Sequence, residues 1–278
     1  MPIKLMYITN RPDIAQIAES AGVDRIFIDM EYIGKDKRQK GMDTVQSHHT
    51  VEDVAAVRNA ITQAQLLVRV NPIHEASAAY GSSQEEIDAV IRAGADIVML
   101  PYFKTPREVQ EFIQYVGGRA KTMLLFETPE SVEQIEEILD NDGIDEVFIG
   151  LNDLSLGYQK KFMFELLADG TVENICSVFR KRKLPYGFGG IASLSKGMLH
   201  SEKIIIEHYR LGSTCAILSR SFCNTSQVKH MGVISNTFVN GIREIREFEK
   251  KVQQYRDFFS DNQDEVVSDV NKIVSKIS

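Results

Sequence analysis

The chain has 278 residues, 43% of them hydrophobic and 26% charged, with a net charge of −7 and a pI of about 5.5. These are values of a globular chain long enough to bury a sizeable core, and the acidic balance argues against a nucleic-acid partner, which asks for a basic face. No apolar run approaches the ~18 residues that span a bilayer, and MPIKLMYITNRPD at the N-terminus is too short in its apolar part for a signal peptide.

Short apolar runs alternate with amphipathic stretches almost to the end of the chain. Run one is Ile3–Ile8; Pro12 then suits a helix start, and Gly22 closes that helix. Run two, Arg25–Ile28, ends in Asp29-Met-Glu31. Residues 32–49 are polar and aperiodic and read as a long surface loop. Thr50 caps a helix over 51–62, with Glu52 and Asp53 in its first turn. Run three, Leu66–Val70, contains Arg69 and leads to Asn71-Pro72. Ser82 and Ser83 before Glu85 and Glu86 resemble a capping box for a helix to Gly94. Run four is Ile97–Leu100, and a helix from Thr105 ends at Gly117-Gly118. Run five is Met123–Phe126, followed by Glu127 and a helix over 129–140; run six is Val147–Ile149, followed by Asn152 and Asp153. A helical stretch over 160–183 breaks at Asp169-Gly170. Run seven, Tyr186–Ile191, is glycine-rich; a helix over 201–211 stops at Gly212, and run eight is Thr214–Leu218. From Asn236 to Lys276 the pattern is helical, with a break expected near Asp261-Asn262.

Eight runs, each followed by a helix, are apolar throughout and do not alternate, as parallel strands buried on both faces require. That count and size predict an α/β fold, a (β/α)8 TIM barrel with an extended C-terminal helical segment. One domain is expected over 1–278, with its barrel core over about 1–225 and the C-terminal helices over about 226–278. A doubly wound sheet competes less well, because no glycine-rich phosphate loop follows run one. The three cysteines, Cys176, Cys215 and Cys223, follow neither disulfide nor zinc spacing. Reduced thiols used for packing, and a cytoplasmic location, are therefore expected. Basic clusters such as Lys35–Lys40 and Arg180–Lys183 read as solvated faces.

In such a barrel the active site forms at the carboxyl ends of the strands. Asp29, Glu31, Arg69, Glu127, Asn152, Asp153, Gly189 and Gly190, scattered in the chain, converge there. Glu127 and Asp153 are oxygen donors suited to Mg2+, Mn2+ or another hard divalent cation. Arg69 ends an apolar strand, so its charge must be paired or face a ligand; Asp29 or Glu31 neutralises it, or it is aimed at a ligand oxygen. Glycines 187, 189 and 190 either admit a ligand to the backbone or serve barrel-corner packing. Gly150 to Asp153 offers backbone N–H groups to an anion. Arg220 and Ser221, after run eight, either touch a phosphate or carboxylate or form a surface pair.

The pieces DMEY (29–32), LLVRVN (66–71), GADIVMLPYF (94–103), FETPESV (126–132) and IGLNDLSLG (149–157) resemble the HpcH/HpaI aldolase and citrate lyase superfamily. The resemblance spans roughly residues 1–225. It implies a TIM barrel of the phosphoenolpyruvate/pyruvate type, a divalent metal on Glu127 and Asp153, and an Arg69 that polarises a keto or enolate oxygen. It implies an aldehyde- or oxo-acid-lyase whose substrate is a small keto acid or an acyl thioester, in a homo-oligomer. The first reading is metal-dependent (retro-)aldol cleavage of a 2-keto acid; the alternatives are a citrate-lyase-like enzyme on a thioester or a catalytically reduced barrel that binds a small acid. Two positions depart from the aldolase pattern: Tyr32 stands where a histidine follows the acid of strand two, and Leu125 stands where a glutamine precedes the metal-binding glutamate. His49, in the loop after Tyr32, is the histidine expected to serve the site instead, ahead of His48.

Overall fold

The computed structural model describes residues 1–35, 47–225, 227–254 and 258–277. Eight parallel strands close into a barrel in sequence order, β8 pairing with β1: β1 (Lys4–Ile8), β2 (Arg25–Asp29), β3 (Gln65–Arg69), β4 (Ile97–Leu100), β5 (Lys121–Phe126), β6 (Glu146–Ile149), β7 (Tyr186–Ile191) and β8 (Cys215–Leu218). The helices between them are α1 (Pro12–Ser20), α2 (Val51–Ala60), α3 (Ser83–Arg92), α4 (Pro106–Val116), α5 (Pro129–Glu133), α6 (Ile135–Ile138), α7 (Leu151–Gly157), α8 (Glu165–Ala168), α9 (Thr171–Lys181) and α10 (Ser201–Leu211). Two long helices, α11 (Met231–Gln254) and α12 (Phe258–Ile277), complete the described chain. The (β/α)8 barrel expected from the eight apolar runs is the fold.

Local chemistry explains most boundaries. Thr50 with Asp53, Ser82 with Glu85 and Thr105 with Glu108 form reciprocal capping boxes, each satisfying two orphan donors at a helix start. Two apolar layers then follow from the strand period. Met6, Phe27, Leu67, Ile97, Met123 and Phe148 point inward and fill the barrel; their neighbours along each strand pack against the helices. At the N-terminal end of the barrel Arg25 reaches across to Glu146, with two hydrogen bonds of 2.8 and 2.7 Å, and to Gln65. This buried pair closes the floor opposite the site.

Several boundaries differ from expectation. The helix expected over 129–140 is broken at Gln134, whose side chain donates to the carbonyls of Lys104 and Glu130. The stretch after β6 forms the short helix α7, with Gly150 at its N-cap; the Gly150 N–H is used on the Phe126 carbonyl, and the N–H groups of Leu151 to Asp153 stand in the helix's first turn. No break occurs at Asp261-Asn262: α12 runs through both. Asn262 is tolerated inside it because its amide donates to the Lys203 carbonyl and to Glu207 Oε1 on α10. Of the polar stretch 32–49, residues 36–46 lie outside the described residues; Tyr32, Gly34 and His48 are exposed, as a surface loop requires, but two positions are not. Lys35 and Ser47 are buried, so the solvated-face reading of Lys35 is wrong; two acids draw its ammonium inward.

Candidate active site

A cavity of about 660 Å3 lies at the C-terminal ends of the strands. Asp29, His49, Arg69, Glu127 and Asp153 line it. So do Gly150, Asn152, Gly189 and Gly190. Glu31 is the candidate left out of the lining. It is wholly buried just behind the wall, where its carboxylate lies 3.2 Å from Arg69 and 3.4 Å from Lys35.

Strand β2 ends in Asp29, and β3, its neighbour in register, ends in Arg69 directly opposite. The guanidinium grips both carboxylate oxygens of Asp29 at 2.8 Å and lies 5.7 Å from the Phe27 ring centre. Lys35 Nζ is 3.2 Å from Asp29 Oδ2. Among the described residues, two acids and two cations meet in one buried cluster. Burial alone would raise the Asp29 pKa; the charge and hydrogen bonds of Arg69, then those of Lys35, outweigh it and hold the carboxyl well below the usual range. Burial likewise works against the Arg69 charge, but Asp29 and Glu31 push its pKa up further still. Arg69 is paired with Asp29 and Glu31, and it also lines the cavity. Asn71 fixes the turn after Glu31, since its carbonyl accepts from the N–H groups of Tyr32 and Ile33 and its amide donates to Glu86.

His49 is placed by one bond. Its Nδ1 accepts the Asp29 backbone N–H at 3.0 Å, so the neutral ring carries its proton on Nε2. Burial lowers its pKa, against the raising influence of Asp29 and Asp53. With its basic nitrogen engaged, His49 brings a hydrogen-bond donor to the cavity rather than a base. Tyr32 does not fill the gap. It is 43% exposed and outside the cavity lining, and burial of its hydroxyl, then Glu86 and Tyr80, raise its pKa.

Glu127 and Asp153 follow β5 and β6, adjacent strands, and both are buried. The Tyr102 N–H donates to Glu127 Oε1 at 3.0 Å. Tyr102 holds that position in the left-handed region, at φ 49°, a conformation that costs a non-glycine residue about 1–3 kcal/mol and is kept where the surroundings require it. Across from it, a Cβ at Gly150 would sit 2.7 Å from Glu127 Oε2, so only glycine leaves room for this carboxylate. Among the described residues no three metal-ligating side chains cluster. Two hard oxygen donors in one cavity, with the other positions left to water and substrate, are the way Mg2+ is commonly held, so the residues present fit a divalent cation.

The glycines of β7 divide. Gly187 is packing: a Cβ there would meet the Cys215 carbonyl at 2.2 Å. Gly189, at φ 55°, and Gly190 line the cavity beyond a register shift between β7 and β8. Cys176 and Cys215 are buried and their thiols are pushed up to about 12 by that burial, which suits packing and not nucleophilic attack. Sequence reasoning misses Lys35, Glu86 and the strained Tyr102; Lys35 is buried against Asp29 and Glu31 at the end of β2, and the half-buried Glu86 is held by Asn71.

The model of the HpcH/HpaI aldolase/citrate lyase family matches residues 4–180. Among solved structures, a HpcH/HpaI aldolase/citrate lyase family protein from Burkholderia cenocepacia J2315 is similar at 14% identity and a TM-score of 0.58, over 92% of this chain and 95% of that one. A HpcH/HpaI aldolase from Desulfitobacterium hafniense DCB-2 is similar at 16% identity and a TM-score of 0.58, over 88% and 93%. No curated protein matches. At these identities the two structures bear on the fold alone. The family match covers more than half of the chain and extends from β1 through α9, across the strand ends that carry Asp29, Arg69, Glu127 and Asp153; the chain belongs to the HpcH/HpaI aldolase/citrate lyase family.

Proposed function

We propose that the chain is a divalent-metal-dependent carbon–carbon lyase of the aldolase type, acting on a 2-keto acid through a pyruvate-like enolate. Family members are typically lyases. The observation that carries the reading is that Glu127, Asp153 and Arg69, from three different strand ends, line one cavity. Glu127 and Asp153 would hold Mg2+ or Mn2+. A cation held there supplies positive charge to the oxygens of the bound keto acid. Arg69 faces the same oxygens with its planar fork, and Asp29 fixes that fork from behind with two hydrogen bonds, so no reorganisation is needed as negative charge develops. Glu31 and Lys35 complete the charge balance beneath it. His49 presents Nε2–H to a substrate oxygen. Asn152, Gly150, Gly189 and Gly190 shape the substrate's side of the cavity.

The same reading includes a small-molecule substrate, no nucleic-acid or membrane partner, a cytoplasmic location, a single domain and a homo-oligomer. No helix among the described residues is long and apolar enough to cross a membrane. A second reading, a barrel that binds a small acid without turning it over, is favoured by one observation: neither Tyr32 nor His49 offers a free basic nitrogen or a low-pKa hydroxyl. Exchange of the methyl protons of pyruvate in D2O separates the two. The lyase reading expects exchange that needs Mg2+ or Mn2+ and falls about a hundredfold or more in Glu127→Gln. Metal binding with no exchange would leave the small-acid-binding reading.

A further inference from the structure

We propose that Tyr102 is a positioning residue for Glu127: its backbone, kept in the left-handed region, presents the N–H that fixes this carboxylate where a divalent cation would meet it. This rests on the reading of Glu127 and Asp153 as the metal-holding acids. It goes beyond that reading because Tyr102 stands outside the cavity lining and acts only through Glu127.

Glu127 opens the segment after β5, and the loop after β4 clasps that segment residue by residue. The Tyr102 N–H donates to Glu127 Oε1 at 3.0 Å. Next along the loop, the Phe103 carbonyl accepts from Thr128 Oγ at 2.8 Å, and the Phe103 ring stands edge-on to Phe126 with centres 5.0 Å apart. The Lys104 carbonyl then accepts from the Gln134 amide at 2.9 Å, and Lys104 Nζ meets Glu130 Oε1 at 2.7 Å. Phe103 and Thr128 are buried, so the loop has little room to shift. With its neighbours tied down, Tyr102 is left at φ 49°, a region that side chains other than glycine and asparagine seldom adopt. Its ring lies outside the cavity lining, with the Lys104 ammonium 5.6 Å from the ring centre. What Tyr102 brings to the carboxylate is its backbone N–H.

Helix α7 closes on the same segment from the opposite side. A Cβ on Gly150, its N-cap, would lie 2.7 Å from Glu127 Oε2 and 2.8 Å from Glu127 Cβ. A Cβ on Gly157, its last residue, would lie 2.5 Å from Pro129 Cδ. Neither glycine is in the left-handed region, so close contact, not backbone freedom, is what requires them. Between the two sits Asp153. The helix that carries the second acid is thus seated at both ends against the segment that carries the first. Glu127 is held from one side by the Tyr102 N–H and from the other by the bare backbone of Gly150. Backbone contacts therefore set how the two acids stand to each other, and the strained Tyr102 supplies the charge-assisted bond among them. A carboxylate oriented in this way needs no rearrangement to take a cation.

The test is a calorimetric titration of Mn2+ into the metal-free parent and into Tyr102→Gly, Tyr102→Asn and Tyr102→Ile, with thermal melts to confirm folding. All three variants lose the ring. The first two suit a left-handed backbone, whereas a β-branched residue tolerates it least. Affinity within about threefold of the parent is expected for Tyr102→Gly and Tyr102→Asn, and about tenfold or more weaker for Tyr102→Ile, the loss that follows when a ligating carboxylate gives up its outer partner. Unchanged affinity in Tyr102→Ile, or losses as large in Tyr102→Gly and Tyr102→Asn, overturns the proposal. Hydrogen exchange gives a measurement that needs neither a metal nor a change at Tyr102. In the metal-free protein the Tyr102 amide is expected to exchange about tenfold or more faster in Glu127→Ala than in the parent, and equal rates overturn the proposal even if Tyr102→Ile fails to fold. No saturable Mn2+ site in the parent removes the metal reading and this proposal with it; a site that binds alike in every Tyr102 variant removes this proposal alone.

Discussion

Arg69 and Asp29 show how one residue's geometry is set by another's. A lysine at 69 keeps the charge but loses the planar fork that meets both Asp29 oxygens while still facing the cavity. Loss of one charge-assisted hydrogen bond, about 1.5–3 kcal/mol, corresponds to roughly 10–100-fold. Arg69→Lys is therefore expected to lower kcat/KM by that range, with the fold unchanged in thermal melts. His208 makes a stability prediction. It is fully buried, stacked on Phe188 with ring centres 3.9 Å apart, and burial lowers its pKa from 6.5 to about 3. The unfolded chain thus binds a proton that the folded chain refuses. The stability it protects is complete above pH 6.5 and is lost as the pH falls towards 3. Between pH 6.5 and 4.5 the loss is about 2 kcal/mol, and His208→Gln should flatten that part of a urea-denaturation profile; an unchanged slope would show His208 protonated in the folded state. At this scale the strand-end acids and Arg69 are legible in the sequence, because a charge ending an apolar run needs a reason. Lys35 is not legible: within a basic run it reads as solvent-facing, and only Asp29 and Glu31 in three dimensions make it a buried cation.

Strands are the most legible elements. Sandwiched between barrel core and helices, each is apolar on both faces, and the eight runs show this without alternation. Helix starts with a Thr or Ser cap and an acid three residues later are legible for the same local reason. The tail and the stretch after β6 are not, because what decides them is distant: Asn262 stays helical only through its bonds to α10, and α7 forms where Gly150 has already spent its N–H on β5. Strand β7 carries the element-scale prediction. Gly187 lies so close to β8 that a Cβ would stand 2.2 Å from the Cys215 carbonyl and 2.5 Å from its sulfur. Neither can move without breaking barrel register, so Gly187→Ala should cost about 3 kcal/mol or more in urea denaturation. A cost under about 1 kcal/mol would mean that β7 can slide past its register shift with β8.

The whole molecule separates its tasks along the barrel axis. At the N-terminal end Arg25 and Glu146 close the floor with a buried, bidentate pair; at the C-terminal end the charges are arranged around a cavity. Barrel closure turns residues far apart in the chain into neighbours, which is why the site's membership follows once the fold is read while its proton-transfer half does not. The base depends on which nitrogen or hydroxyl is left unengaged, and the bond from Asp29 N–H to His49 is invisible in sequence. The central claim, that Glu127 and Asp153 together hold a divalent cation, is tested most directly by titrating Mn2+ into the metal-free protein and into a Glu127→Gln/Asp153→Asn variant. One saturable site per chain is expected in the parent, weakened roughly a hundredfold or more when both carboxylate charges are removed; no saturable site in the parent, or the same affinity in the folded double variant, would contradict it.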